Sequence, residues 1–214
     1  MQKIDLLIFD LDGTLVDTRQ DLTNSVNYAR DSLGLPPLEL TQVMQYVGNG
    51  VRKLMERSLP QPLKETTDDA ITHFRNHYRE HLLDCSTLYP GVEEVLHHFH
   101  QKKMVVISNK PEEFCRTILE GVQIVSYFDL ILGGDTLSFL KPSPEPILHV
   151  LKQLKIRSEK TVIIGDGTTD IEAGLKAKVL TCAVTYGFRA KEILLQAQPD
   201  YVVQEIQELK RLFN

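Results

Sequence analysis

Short apolar runs recur along the chain, each about the length of a strand and each ending in polar residues or glycine. They are Ile4–Phe9, Met104–Ile107, Leu130–Leu132, Thr161–Ile164 and Val179–Val184, with Tyr201–Val203 as a further candidate. Runs without polar alternation predict strands buried on both faces. Between them the apolar positions step by three and four residues, the period of a helix that buries one stripe. Val92, Val95, Leu96 and Phe99 form one such set, Phe114 and Ile118 a second. Ile147, Leu148, Leu151 and Leu154 form a third, and Ile206, Leu209 and Phe213 a fourth. Strand followed by helix, repeated, predicts an α/β fold with a parallel sheet covered on both faces.

From Thr18 to about Asp84 that alternation stops. Leu22, Val26, Ala29 and Leu33 make one helical stripe, ended by Gly34 and Pro36-Pro37. Val51, Leu54 and Met55 belong to a second stripe, and Ala70, Phe74, Tyr78 and Leu82 to a third. An all-helical block after the first strand predicts a separate lobe over the carboxyl ends of the strands, where open α/β sheets bind ligands. The expected division is a Rossmann-like core of residues 1–16 and 86–214 with a small helical cap of residues 17–85. Gly48-Asn49-Gly50 has neither a preceding strand nor a third glycine at dinucleotide-loop spacing, so it reads as a break between cap helices.

Composition narrows the function more than the fold. With 214 residues, 42% hydrophobic and 25% charged, the chain can bury a core without disulfides. Cys85, Cys115 and Cys182 are too scattered for a disulfide framework or a paired-thiol zinc site. A net charge of −5 with no Lys/Arg-rich run argues against a nucleic-acid partner. The opening residues lead into an apolar run that Asp10 interrupts, which fits neither a signal peptide nor a membrane span. Cytoplasm is therefore the expected location and no membrane partner is expected; monomer and homodimer both stay open.

The candidate chemistry sits at strand tips. Asp10 and Asp12 close the first run and meet a glycine, Gly13. Residues two apart at an extended strand end share a face, so both acids can converge where a cation or a shared proton relieves their repulsion. A capping turn built by Asp12 or Thr14 is the structural alternative. Asp166 and Asp170 follow the run Thr161–Ile164 and can face the same crevice. Hard carboxylate oxygens are what magnesium takes, with waters and a substrate phosphate completing its shell. Ser108 and Asn109 after Met104–Ile107, and Lys141 before Pro142, offer anion ligands at two more tips; N-capping explains the first two equally well. His73, His77 and His81 recur at every fourth position, with no cysteine or carboxylate placed to complete a metal site.

In order and separation, Asp10-x-Asp12, Ser108, Lys141 and Asp166-x-x-x-Asp170 resemble the four motifs of the haloacid dehalogenase superfamily. The helical block after Asp17 is similar to that family's cap. The bacterial phosphoglycolate phosphatase branch is the nearer resemblance, through Val47-Gly48-Asn49-Gly50-Val51, Tyr89-Pro90-Gly91-Val92, Ser108-Asn109-Lys110-Pro111, Gly133-Gly134-Asp135-Thr136, Lys141-Pro142-x-Pro144 and Tyr186-Gly187. The resemblance implies a phosphatase acting on a small phosphorylated metabolite, 2-phosphoglycolate first, through an aspartyl-phosphate intermediate and with Mg2+ as cofactor.

Asp10 would be the nucleophile, Asp12 the general acid/base and Lys141 the neutralising cation. Asp10, Asp12 (through its carbonyl), Asp166 and Asp170 would surround the metal, Asp170 directly, through water or from behind another ligand. Thr14, Ser108, Asn109 and Lys141 would hold the phosphate end of the substrate, and Arg52, beside the cap break, would meet a substrate carboxylate. One departure is Gly167, where many relatives carry Ser or Thr. The same pattern also suits a pyrophosphatase, a phosphosugar mutase or phosphatase, and a non-catalytic phosphate-binding protein, whereas Asp12 points away from dehalogenation.

Overall fold

The computed structural model describes residues 1–61 and 63–214. The chain enters through strand β1 (Leu6–Phe9) and a two-residue strand β2 (Val16–Asp17), then runs through four helices, α1 (Arg19–Asp31), α2 (Leu40–Tyr46), α3 (Val51–Ser58) and α4 (Lys64–His81). It returns through β3 (Thr87–Leu88), which pairs antiparallel with β2, so a short ribbon closes off the helical block. After that strands and helices alternate: α5 (Val92–His98), β4 (Lys103–Ile107), α6 (Glu112–Gly121), β5 (Leu130–Leu132), α7 (Glu145–Leu154) and β6 (Thr161–Gly165). The remainder is α8 (Thr168–Ala177), β7 (Leu180–Val184), α9 (Lys191–Gln196), β8 (Tyr201–Val203) and α10 (Leu209–Leu212).

Six strands form one parallel sheet in the order β5-β4-β1-β6-β7-β8. Both of its faces are covered, which is why its strands read as unbroken apolar runs. Leu6 and Ile8 of β1 pack with Ile147 and Val150 of α7. Leu7 and Phe9 point the other way, into a core shared with α5 and α6. That second core continues into the helical block through Leu22, Val26, Phe74 and Tyr78, so cap and core share one apolar interior. Strand order reverses beside β1, because the chain builds β4 and β5 on one flank and then crosses to β6 on the other. Such a reversal opens a crevice at the strands' carboxyl ends. In register, Phe9 of β1 lies level with Val106 of β4 and Ile164 of β6, so the residues just beyond these three strands reach the crevice at nearly one height.

This is the α/β architecture expected, a Rossmann-like core with a helical cap inserted after the first strand. Among the described residues no helix is long and apolar enough to cross a membrane.

Candidate active site

Asp10, Asp166 and Asp170 come from the tips of β1 and β6 and the first turn of α8, and one carboxylate oxygen from each lies within 4.8 Å of the others. Backbone pairing brings the first two together: the Asp10 N–H donates to the Ile164 carbonyl at 2.9 Å, locking the end of β1 to β6. Gly13 has a φ of +81°, and a Cβ there would fall 2.3 Å from Asp166 Oδ2, so only glycine lets this turn close over the acid. Gly187 approaches from the far side, where a Cβ would meet that of Asp166 at 2.3 Å. Held between these loops, Asp166 accepts the Phe188 N–H at 2.6 Å. The Thr14 hydroxyl accepts the Asp166 N–H at 3.1 Å and donates weakly, at 3.4 Å, to its carboxylate.

Buried acids this close should be hard to ionise together. Burial, above all, pushes Asp10 up to about 6; the Lys141 ammonium opposes that shift, and Asp170 adds to it. Burial followed by the charge of Asp10 also drives Asp166 well above the ordinary carboxylate range, against the Phe188 N–H. Lys141 partly relieves the crowding. Its ammonium donates to Asp10 Oδ1 at 2.8 Å, to Asp170 Oδ1 at 2.6 Å and to the Ile107 carbonyl. Burial disfavours that charge, yet Asp10 and Asp170 outweigh it and hold the lysine above its usual range. One ammonium between three carboxylates leaves the cluster negative. Hard oxygen donors, a common centre and excess negative charge together fit a divalent cation such as Mg2+.

Asp12 sits on the other side of Asp10 and is held differently. Its Oδ1 accepts the Thr18 hydroxyl at 2.6 Å and the Lys110 ammonium at 2.6 Å. Lys110 also donates to the Tyr78 hydroxyl of α4 at 2.7 Å, which ties the acid to the cap. The pocket between the two lobes has a free volume of about 60 Å³. Acids, Ser108 and both lysines line its floor; Val47, Val51, Leu54 and Phe74 form an apolar roof from the cap.

Three expected contacts are placed elsewhere. Thr14 is fully buried beneath Asp166 and spends its hydroxyl on that loop, so it supports the site from below and does not face a substrate. Asn109 lines the pocket, but its amide nitrogen donates to the Gly48 and Lys141 carbonyls and its oxygen accepts the Lys141 N–H. Its side chain therefore braces cap against core, with no group left over for a phosphoryl oxygen. Arg52 points out of the pocket; more than half exposed, it pairs with Asp68 at 2.7 Å. Two cations that line the pocket, Lys110 and Arg189, carry no role in the sequence reading. Lys110 could have been found as a cation two residues beyond Ser108, at a strand tip already singled out. Arg189 follows Tyr186-Gly187 past the end of β7, in a loop for which no chemistry was considered.

Residues 7–184 match the family described as haloacid dehalogenase-like hydrolase. The chain is 37% identical to the phosphoglycolate phosphatase of Colwellia psychrerythraea, over 98% of its own length and 96% of that protein. Against the phosphoglycolate phosphatase of Aquifex aeolicus the identity is 36%, over 98% and 96%. Among solved structures, that of a predicted phosphoglycolate phosphatase from Haemophilus somnus superimposes with a TM-score of 0.94 at 28% identity, over 99% of each chain.

Proposed function

The chain belongs to the haloacid dehalogenase-like hydrolase family, and from that premise we propose that it is a magnesium-dependent phosphatase that hydrolyses 2-phosphoglycolate to glycolate and phosphate. The names of its relatives support the substrate. The observation that carries the chemistry is the convergence of Asp10, Asp166 and Asp170 within 4.8 Å, next to Lys141.

A phosphate dianion repels a carboxylate nucleophile, so positive charge must come first. Lys141 supplies part of it and holds one oxygen of Asp10, which orients the other. Mg2+ held by the Asp10, Asp166 and Asp170 carboxylates and the Asp12 carbonyl would supply the rest and polarise the phosphoryl group. Asp10 forms a bond to phosphorus while the bond to the substrate oxygen breaks, giving an aspartyl phosphate. Asp12 donates a proton to the departing alkoxide. Thr18 and Lys110 keep its Oδ1 in place, which leaves Oδ2 for that transfer. Asp12 then takes a proton from the water that attacks phosphorus; phosphate leaves and Asp10 is restored. Ser108, in the pocket floor, would face the phosphoryl oxygens. Residues 17–85 are the unit that opens and closes over this reaction.

Phosphate release from 2-phosphoglycolate, pyrophosphate and sugar phosphates, with magnesium and with chelator, tests the proposal, with Asp10→Asn as the blank. Turnover that survives either the chelator or that substitution would sink it.

A further inference from the structure

We infer that Arg189 is the specificity-determining residue that reads a carboxylate on the leaving-group side of the substrate, and that by doing so it couples binding to closure of the cap. Lys110 and Lys141 already face carboxylates, Asp12 for the first and Asp10 with Asp170 for the second. Arg189 lines the same pocket and, among the described residues, has no carboxylate within ion-pair distance. It is a partly buried cation in need of an anion. Burial, with the Arg57 charge adding to it and Asp166 opposing it, holds its proton affinity below the arginine norm.

The position of Arg189 is set by the site. The Phe188 N–H is fixed on Asp166, so the neighbouring guanidinium stands at the rim of the acidic cluster. Its two terminal nitrogens donate to the Gln45 carbonyl at 2.9 Å and the Val47 carbonyl at 2.5 Å, at the end of α2 in the cap. A guanidinium carries five N–H groups, so three remain for a ligand in the planar fork that suits a carboxylate. The rest of the roof is apolar, so a carboxylate there meets few competing polar groups. A small phosphomonoester with a carboxylate one or two carbons from the ester oxygen would place phosphate on the floor and carboxylate on Arg189. The same guanidinium would then join substrate and cap.

This inference rests on the phosphatase reading, and binding measured without turnover separates the two. Titration calorimetry with magnesium on an Asp10→Asn background, using 2-phosphoglycolate and ethyl phosphate as ligands, compares Arg189 with Arg189→Ala and Arg189→Lys. The Kd ratio of the two ligands should favour phosphoglycolate in the parent and fall by roughly 30- to 100-fold in Arg189→Ala, with Arg189→Lys between the two. An equal weakening of both ligands would reduce Arg189 to a cap latch and overturn the inference. So would a parent that binds the two alike, or neither. Failure of the wild-type chain to release phosphate, with the Kd ratio as expected, would overturn the phosphatase reading alone.

Discussion

The cap is anchored at its return to the core by one buried acid, Asp21 in the first turn of α1. Its carboxylate accepts the Cys85 N–H at 3.0 and 3.1 Å, the Ser86 N–H at 2.8 Å and the Ser86 hydroxyl at 2.7 Å. Asp21→Ala strands all three donors. Cys85 is exposed and its N–H can take water, but Ser86 is buried and its two donors cannot readily do so. An unsatisfied buried donor costs about 1–3 kcal/mol, so the loss should be about 2–5 kcal/mol. Asp21→Asn keeps one oxygen, which can stay on both Ser86 donors while its amide nitrogen turns toward the Cys85 N–H. That variant should lose only about 1–2 kcal/mol. Urea unfolding of the three proteins, followed by circular dichroism, measures the difference. A loss below about 1 kcal/mol in Asp21→Ala, or equal losses in the two variants, would refute the idea that these hydrogen bonds hold the cap's second junction.

Further outcomes follow from the site. Tyr78→Phe removes one of the two anchors of the Lys110 ammonium, so kcat should fall about 5- to 15-fold, the worth of one hydrogen bond; steady-state kinetics with an unchanged kcat would count against a cap-to-Asp12 link. Gly13→Ala must bear a left-handed backbone and a Cβ 2.3 Å from Asp166 Oδ2, so it should destabilise the fold by about 2–4 kcal/mol. It should also raise the magnesium concentration needed for half-maximal activity, read from a metal titration. Lys141→Met leaves Asp10 and Asp170 without their ammonium in the three-carboxylate cluster, and turnover should drop about 100- to 1,000-fold, as the rate of phosphate release will report.

The sheet was legible because doubly buried strands need no alternation: β5 and β8 were read at their observed ends, and the other strands within two residues. Helices with a broad buried stripe, such as α1, α4 and α7, were equally plain. Elements with little to bury left no trace. Val43 and Met44 are the only buried residues of α2, and Leu194 the only one of α9. The ribbon of β2 and β3 has two residues per strand, too short for any period to register. At the carboxyl end, one apolar stripe covered what is a 3₁₀ turn at Ile206–Glu208 followed by the short α10.

The carboxylates were legible for a topological reason: acids at the tips of β1 and β6, on either side of a strand-order reversal, have nowhere to project except the crevice. Arg52 shows what proximity in sequence cannot supply. Leu54, Met55 and Ser58 define the buried face of α3, and at 100° per residue Arg52 lies about 110° from its middle, on the flank that meets Asp68 and solvent. A helical wheel drawn around those residues would have turned it away from the pocket. Arg189 is the converse case, since no periodic element carries it and no pattern marks it. Yet it follows the tip of β7, the strand beside β6, and the rule that located Asp10 and Asp166 applies there too. Applied to every strand tip, acidic or not, that rule puts residues 185–189 at the crevice rim, and the only fixed cation among them is Arg189. If the substrate is charged at both ends, as proposed, it needs a cation at each, and Arg189 beyond the tip of β7 is the residue the proposal assigns to the second.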